Sequence, residues 1–173
     1  MTVLLGGAFD PPHNGHVVLA QAVRERLGEP VVLVSAAPGH KDVAAPAEAR
    51  LELARAAFPD LRVELDPHAR TIDLLREGRF PDPVVVIGAD EYAAFASWKE
   101  PEEVLRLARL AVATRPGYPV AVGRPDRVEC FEIEPLPNAS REIRARVAAG
   151  EPIDELVPPA VARLIEARGL YVC

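Results

Sequence analysis

Between its first apolar run and its first helical pattern, the chain reads Gly6-Gly7-Ala8-Phe9-Asp10-Pro11-Pro12-His13-Asn14-Gly15-His16. The apolar run before it, Val3-Leu4-Leu5, has the composition of a buried strand. Two glycines let the backbone approach a ligand closely, and a helix N-terminus offers unpaired amides and the positive end of its dipole to an anion. The junction therefore predicts a phosphate site, although it is neither a GxGxxG turn nor a Walker loop.

The histidines of this junction, His13 and His16, are three residues apart and would share one face if the helix begins between them. Since a helix N-terminus disfavours imidazolium, we expect both rings to be neutral in the empty site and to gain charge beside a polyphosphate. Two alternatives stay open: a metal site formed with Asp10, and purely structural histidines. Asp10 itself is expected to form a turn and to accept hydrogen bonds from local backbone amides.

The rest of the chain alternates short apolar runs with helical patterns. Continuous runs at 3–5, 31–34, 84–87 and 110–113 predict buried parallel strands, and 62–65 and 127–133 are weaker candidates. Helices are predicted over 16–27, 46–57, 71–76, 91–97, 101–108, 138–149 and 158–168. This pattern predicts an α/β fold: a doubly wound, mostly parallel sheet of about five to six strands, with helices on both faces and ligands beyond the carboxyl ends of the strands.

Composition and net charge exclude several classes of protein. A chain of 173 residues that is 49% hydrophobic can bury a core, which excludes a disordered tail and indicates one domain over 1–173. The formal net charge of −6 argues against bulk binding to nucleic acid or to an anionic membrane. Cys130 and Cys173 are far apart in the sequence, the N-terminus has no signal-peptide pattern, and no long apolar segment occurs, so we expect a soluble protein of the reducing cytoplasm.

The string GGAFDPPHNGH resembles the signature of the nucleotidyltransferase superfamily, whose core (T/H)xGH appears here as His13-Asn14-Gly15-His16. Further blocks are similar to those of the bacterial nicotinate-mononucleotide adenylyltransferases. These blocks are Pro38-Gly39-His40-Lys41, the 70–75 stretch, Gly88-Ala89-Asp90, Trp98, Arg115-Pro116-Gly117, the 138–144 stretch, and the ending from 155 to 171. The chain departs from the pattern at Gly39 (usually proline), Arg70 (usually tyrosine), and Leu74 and Arg141 (both usually threonine).

The resemblance implies a Rossmann-like nucleotidyltransferase fold and transfer of the adenylyl group of ATP to nicotinate mononucleotide, giving nicotinate adenine dinucleotide and pyrophosphate. It implies Mg²⁺ carried by ATP, without protein side chains as metal ligands, and the small substrates as partners; oligomeric state stays open. The nearest alternative is a pantetheine-phosphate adenylyltransferase. An alternative of another class is a catalytically silent nucleotide-binding regulator, which the altered 70–75 and 138–144 blocks allow.

The same resemblance implies the site residues. Catalysis is assigned to His13, His16, Lys41 and Arg144. ATP binding is assigned to Gly7, Ala8, Phe9, His16, Gly88, Asp90, Arg115, Ser140 and Arg144, with the helical part 138–173 completing the phosphate site. Acceptor binding is assigned to Gly7, Ala8, Lys41, Thr71, Asp73 and Trp98. Plainer interpretations remain for several residues: a solvated Lys41 or Arg50, a helix-capping Thr71 or Asp90, and a core Trp98.

Overall fold

The computed structural model of the protein describes residues 1–39, 42–117, 120–121, 123–134 and 139–172. Its strands are β1 (Thr2–Gly7), β2 (Pro30–Ser35), β3 (Arg62–Asp66), β4 (Pro83–Gly88), β5 (Arg109–Thr114) and β6 (Val128–Glu132). Its helices are α1 (Asn14–Leu27), α2 (Ala47–Ala57), α3 (Thr71–Arg76), α4 (Ala89–Ala93), α5 (Pro101–Leu107), α6 (Ser140–Ala148) and α7 (Pro159–Arg168). A 3₁₀ turn, Phe95–Ser97, follows α4.

The six strands form one sheet in the order β3-β2-β1-β4-β5-β6, and every neighbouring pair is parallel. The predicted doubly wound sheet and all six predicted strands are confirmed. Strand β1 is central and pairs with β2 on one side and β4 on the other, so the strand order reverses between β1 and β4. A crevice for ligands opens at such a reversal, beyond the carboxyl ends of the strands.

Apolar side chains alternate between the two faces of the sheet. Val3 and Leu5 of β1 belong to a core cluster with residues of α1, α2, α6 and α7. Leu4 belongs to a second cluster with residues of α3 and α5. Both faces are therefore covered by helices, which explains why the strands are continuous apolar runs rather than alternating ones.

Helix boundaries differ from the prediction most clearly at α1, which begins at Asn14 and not at His16, and at α4. The helix predicted over 91–97 is divided into α4 and the 3₁₀ turn. It begins two residues early because Glu91 accepts a hydrogen bond from the backbone N–H of Gly88, which fixes the first turn at Ala89. The predicted cap Asn138 lies outside the described residues. Within the described part of the chain, every helix is too short or too polar to cross a membrane.

Candidate active site

The two histidines of the first turn lie against each other at the carboxyl end of β1. Their ring centroids are 3.8 Å apart and the rings are stacked. The backbone N–H of His13 donates to Nδ1 of His16 at 3.2 Å, which closes the first turn of α1 and places the proton of a neutral His16 on Nε2. The predicted shared face is confirmed.

His13 is 9% exposed, and its Nδ1 has no hydrogen-bond partner among the described residues. Burial lowers the pKa of His13 to about 4, so the ring is neutral at pH 7, as expected, although desolvation is the cause. Buried polar atoms are nearly always hydrogen-bonded. The unpaired ring nitrogen therefore marks His13 as a candidate site residue.

Gly7 and Phe9 fix the loop that leads to the histidines. Phe9 is buried, has a backbone φ of 50°, and packs edge-on against His16 with centroids 5.0 Å apart. A Cβ on Gly7 would lie 2.9 Å from the Phe9 ring. The glycine is thus needed for the Phe9 ring, in addition to any close approach of a ligand.

Asp10 is a hub of long-range contacts and not the local turn-former that we expected. Its carboxylate accepts hydrogen bonds from the backbone N–H groups of Ala44 (2.6 Å) and Ala45 (3.1 Å) and from the hydroxyl of Tyr171 (2.8 Å). It is 2% exposed. Burial and the bond to Asp10 raise the pKa of Tyr171. Asp10 therefore ties the first loop to residues 44–45 and to the C-terminal end of the chain.

Arg50 of α2 is buried against the loops that follow β1 and β2. It is 1% exposed, so its interpretation as a solvated helix arginine is wrong. Its guanidinium donates to the backbone carbonyls of Ala8, Ser35, Ala36 and Ala45 at 2.7–3.2 Å. Burial lowers its pKa, and the charge of Asp10 opposes that effect. The loops after β1 and β2 are thereby held together at one edge of the sheet.

Helix α6 contributes two of the predicted phosphate ligands. The Ser140 hydroxyl donates to the carbonyl oxygen of Pro11 at 2.9 Å. Arg144 donates to the carbonyl oxygen of Asp10 at 2.8 Å and lies 3.5 Å from the Asp10 carboxylate. Both side chains therefore reach the first loop from a helix about 130 residues further along the chain.

The ends of β4 and β5 place the remaining predicted ATP residues at the same edge. Gly88 ends β4 and flanks α4, and exposed Asp90 lies in the first turn of that helix. The residue at the N-cap of α4 is Gly88, so Asp90 is not the cap. Arg115 directly follows β5 and is exposed.

The predicted acceptor residues Asp73 and Trp98 form a second group. Asp73 of α3 accepts a hydrogen bond from Lys99 at 2.9 Å, which lowers the pKa of the carboxyl. Trp98 is half-buried and packs against Phe95 with ring centroids 5.3 Å apart. Thr71 is the first residue of α3, which has no side-chain cap hydrogen bond, so the capping interpretation of Thr71 is wrong. Lys41 lies outside the described residues.

The described residues contain no group of three or more His, Cys, Asp or Glu side chains that could hold a metal ion. The Asp10 carboxylate, which the metal alternative required, is bonded to backbone amides and to Tyr171 instead. Asp10 is therefore engaged elsewhere and does not join the two histidines in a three-residue metal site.

Comparison with known proteins decides the family. The model of the cytidylyltransferase-like family matches residues 4–151. A Thermus thermophilus protein named "Probable nicotinate-nucleotide adenylyltransferase" is 40% identical, with 97% of each chain covered. A Rubrobacter xylanophilus protein of the same name is 37% identical over 97% of this chain and 90% of its own. The chain belongs to the nicotinate-nucleotide adenylyltransferase family.

The fold of this nicotinate-nucleotide adenylyltransferase family member also matches solved structures. The nicotinic acid mononucleotide adenylyltransferase of Plasmodium falciparum, complexed with NaAD, superposes with a TM-score of 0.79 at 15% identity, covering 98% of this chain and 96% of that one. The likeness confirms the predicted Rossmann-like nucleotidyltransferase fold. The family assignment confirms the predicted class of enzyme, a nucleotidyltransferase.

Three supporting residues escaped prediction as parts of the site. Asp10, Arg50 and Tyr171 carry no ligand-binding signature, since each acts through partners between 5 and 161 residues away. The sequence carries one signal: Arg50 matches an arginine that the resembling family often has, although a solvated helix arginine would look the same.

Proposed function

We propose that the protein transfers the adenylyl group of ATP to nicotinate mononucleotide and releases pyrophosphate. The observation that carries the proposal is the stacked pair His13–His16 at the crevice between β1 and β4, where the His13 ring is neutral and its Nδ1 has no partner in the described part of the chain. Family membership at 40% identity over nearly the whole chain supports the choice of substrates.

In the reaction, an oxygen of the mononucleotide 5′-phosphate attacks the α-phosphorus of ATP, and the bond from that phosphorus to the β-phosphate oxygen breaks. Pyrophosphate leaves with its electron pair. The nucleophile is already ionised, so the protein need not remove a proton; it supplies position and positive charge.

The roles of individual residues follow from their places. His16, with its proton on Nε2, donates to an ATP phosphate oxygen. His13 lies beside it at the end of the first loop and contacts the ATP phosphates as well. Ser140 and Arg144 already reach this loop through Pro11 and Asp10, and both donate to the departing pyrophosphate. Lys41 follows β2 in sequence and draws the two substrates together. Gly7, Ala8 and Phe9 form the floor beneath ATP.

Residues that follow β3, β4 and β5 position the two ends of the product. Gly88 and Asp90 hold the adenosine ribose, and Arg115 adds a cation beyond β5. Thr71, Asp73 and Trp98 surround the pyridine ring, with the indole available for stacking.

Magnesium enters this proposal as an ion bound to the ATP phosphates, because Mg²⁺ keeps waters and phosphate oxygens as its preferred ligands. The described residues hold no acidic cluster that would bind it independently, so no step is assigned to a protein-bound metal.

The cytoplasm is the proposed compartment, on the basis of two distant cysteines, of which Cys130 is a free thiol.

The direct test offers MgATP with nicotinate mononucleotide, nicotinamide mononucleotide or phosphopantetheine and measures pyrophosphate. Release with the nicotinate form is expected. Release with phosphopantetheine alone would make the protein the alternative adenylyltransferase. ATP binding without release for any acceptor would identify a silent regulator.

A further inference from the structure

We propose that Arg70 is a specificity-determining residue: its guanidinium binds the carboxylate on the pyridine ring of the acceptor and favours the acid form over the amide form. The inference rests on the proposed function, which names the mononucleotide but no side chain that distinguishes its two forms.

Arg70 lies at the acceptor side of the site. It is the exposed residue that immediately precedes α3, in extended backbone conformation with φ −138° and ψ 139°. Its side chain crosses to the loop that follows β2. There, Nη1 lies 3.1 Å from the position that a Cβ on Gly39 would occupy. Arg70 is therefore held beside the segment that leads into His40 and Lys41 in the sequence.

The charge of Arg70 has no counterpart in the described part of the chain. Its one hydrogen bond is a long one, 3.4 Å, from Nη1 to the carbonyl of the adjacent Ala69. The neighbouring cations are paired with carboxylates: Lys99 with Asp73, Arg76 with Glu100, and Arg79 with both Glu64 and Glu77. An exposed guanidinium without a carboxylate partner, among cations that all have one, is available for an anionic ligand.

The surroundings favour the ring carboxylate over the 5′-phosphate of the same substrate. Arg70 immediately precedes the helix whose Asp73 is joined to Lys99, and Trp98 precedes that lysine. A planar cation and a partly buried indole, in two segments joined by the Asp73–Lys99 pair, fit a planar aromatic acid, because guanidinium binds carboxylate through two parallel hydrogen bonds and the indole face stacks on the ring. The phosphate, in contrast, must reach the histidine pair at the end of β1.

Gly39 is the second half of this arrangement. With a Cβ at position 39, the contact to Nη1 would be tighter than most Cβ contacts, so the tip of the Arg70 side chain would have to shift by a few tenths of an ångström. Gly39 and Arg70 are both departures from the pattern of the resembling family, and the structure puts them in contact. Their effects on acceptor binding should therefore be coupled rather than additive.

The test measures equilibrium binding of nicotinate and nicotinamide mononucleotides by calorimetry, with a non-hydrolysable ATP analogue present, together with kcat/KM for each by pyrophosphate release. The variants are Arg70→Gln, Gly39→Ala and the double variant. Arg109→Gln is the matched control, because Arg109 is partly exposed but lies at the opposite, amino end of β5, paired with Asp82.

For Arg70→Gln, we expect nicotinate mononucleotide to bind about tenfold more weakly, as for the loss of one charge-assisted pair. Binding of the amide form should change less than about twofold, as for a solvated position. Gly39→Ala should reproduce part of the loss and add nothing to Arg70→Gln. Arg109→Gln should leave both affinities unchanged.

Equal weakening of both mononucleotides would show that Arg70 contacts their shared phosphate and would overturn the assignment. So would unchanged affinity for the nicotinate form, or failure of the wild type to bind it. If the wild type binds the nicotinate form but releases no pyrophosphate, the proposed reaction fails, while the assignment of Arg70 is still judged by the binding data alone.

Discussion

Replacing Asp10 with asparagine tests whether the buried carboxylate organises the site. The substitution keeps the shape of the side chain and removes its charge. In the wild type, three donors converge on the two oxygens: the N–H groups of Ala44 and Ala45 and the hydroxyl of Tyr171. Asparagine presents one oxygen and one NH₂ group, so at least one buried donor would face another donor.

The expected cost follows from these contacts. A hydrogen bond to a charged group contributes roughly 1.5–3 kcal/mol, and a buried donor left unpaired costs roughly 1–3 kcal/mol. Because Asp10 is 2% exposed, water cannot easily replace the lost bond. We expect Asp10→Asn to lower the free energy of unfolding by about 3 kcal/mol. Tyr171→Phe, which removes a single donor, should cost about 1–2 kcal/mol.

The assay is urea unfolding at pH 7, followed by the fluorescence of Trp98, the single tryptophan. Asp60→Asn is the control, since Asp60 is exposed and its substitution should change stability by less than about 0.5 kcal/mol. Turnover is measured where all variants remain folded, and Asp10→Asn should lower kcat/KM because Asp10 anchors the segment just after Lys41. The reasoning is refuted if Asp10→Asn is no more destabilising than Asp60→Asn.

Three further predictions concern the same region. His16→Ala should lose at least about 100-fold in kcat while the fold is retained, as for removal of one transition-state donor; near-normal pyrophosphate release would contradict the assignment. His13, whose pKa falls from 6.5 to about 4 on folding, stays neutral in the folded state while the unfolded chain takes up a proton, so stability falls as pH drops below 6.5. Urea titrations should show that this group removes about 2 kcal/mol between pH 7 and pH 5, a loss absent in His13→Asn. Arg50→Lys should cost about 3 kcal/mol in the same assay, because one ammonium cannot reach four carbonyls; a cost below about 1 kcal/mol would indicate that water replaces the guanidinium.

The fold was predictable because its signals are local. Runs such as Val84–Ile87 are buried on both faces and therefore lack polar alternation, which is the property that the pattern detects. The boundary of α4 was missed because it depends on one side chain, Glu91, that accepts the Gly88 N–H. Boundaries of this kind follow from individual hydrogen bonds and not from periodicity.

The histidine pair was predictable for the same reason, since three-residue spacing at a helix start places both rings on one face. The long-range contacts that support the histidine pair were not predictable. Asp10 was expected to bond its neighbours, and its partners are Ala44, Ala45 and Tyr171. Such partners are set by how distant loops meet at the sheet edge, and nothing in the residues near Asp10 specifies them.

Label transfer from ATP tests the central claim most directly. The protein is incubated with nicotinate mononucleotide and ATP labelled at the α-phosphate, and in parallel with ATP labelled at the γ-phosphate. The account predicts that the α-label appears in nicotinate adenine dinucleotide and the γ-label in pyrophosphate, with both signals lost in His16→Ala. Retention of the α-label in ATP, or its release without a dinucleotide, would contradict it.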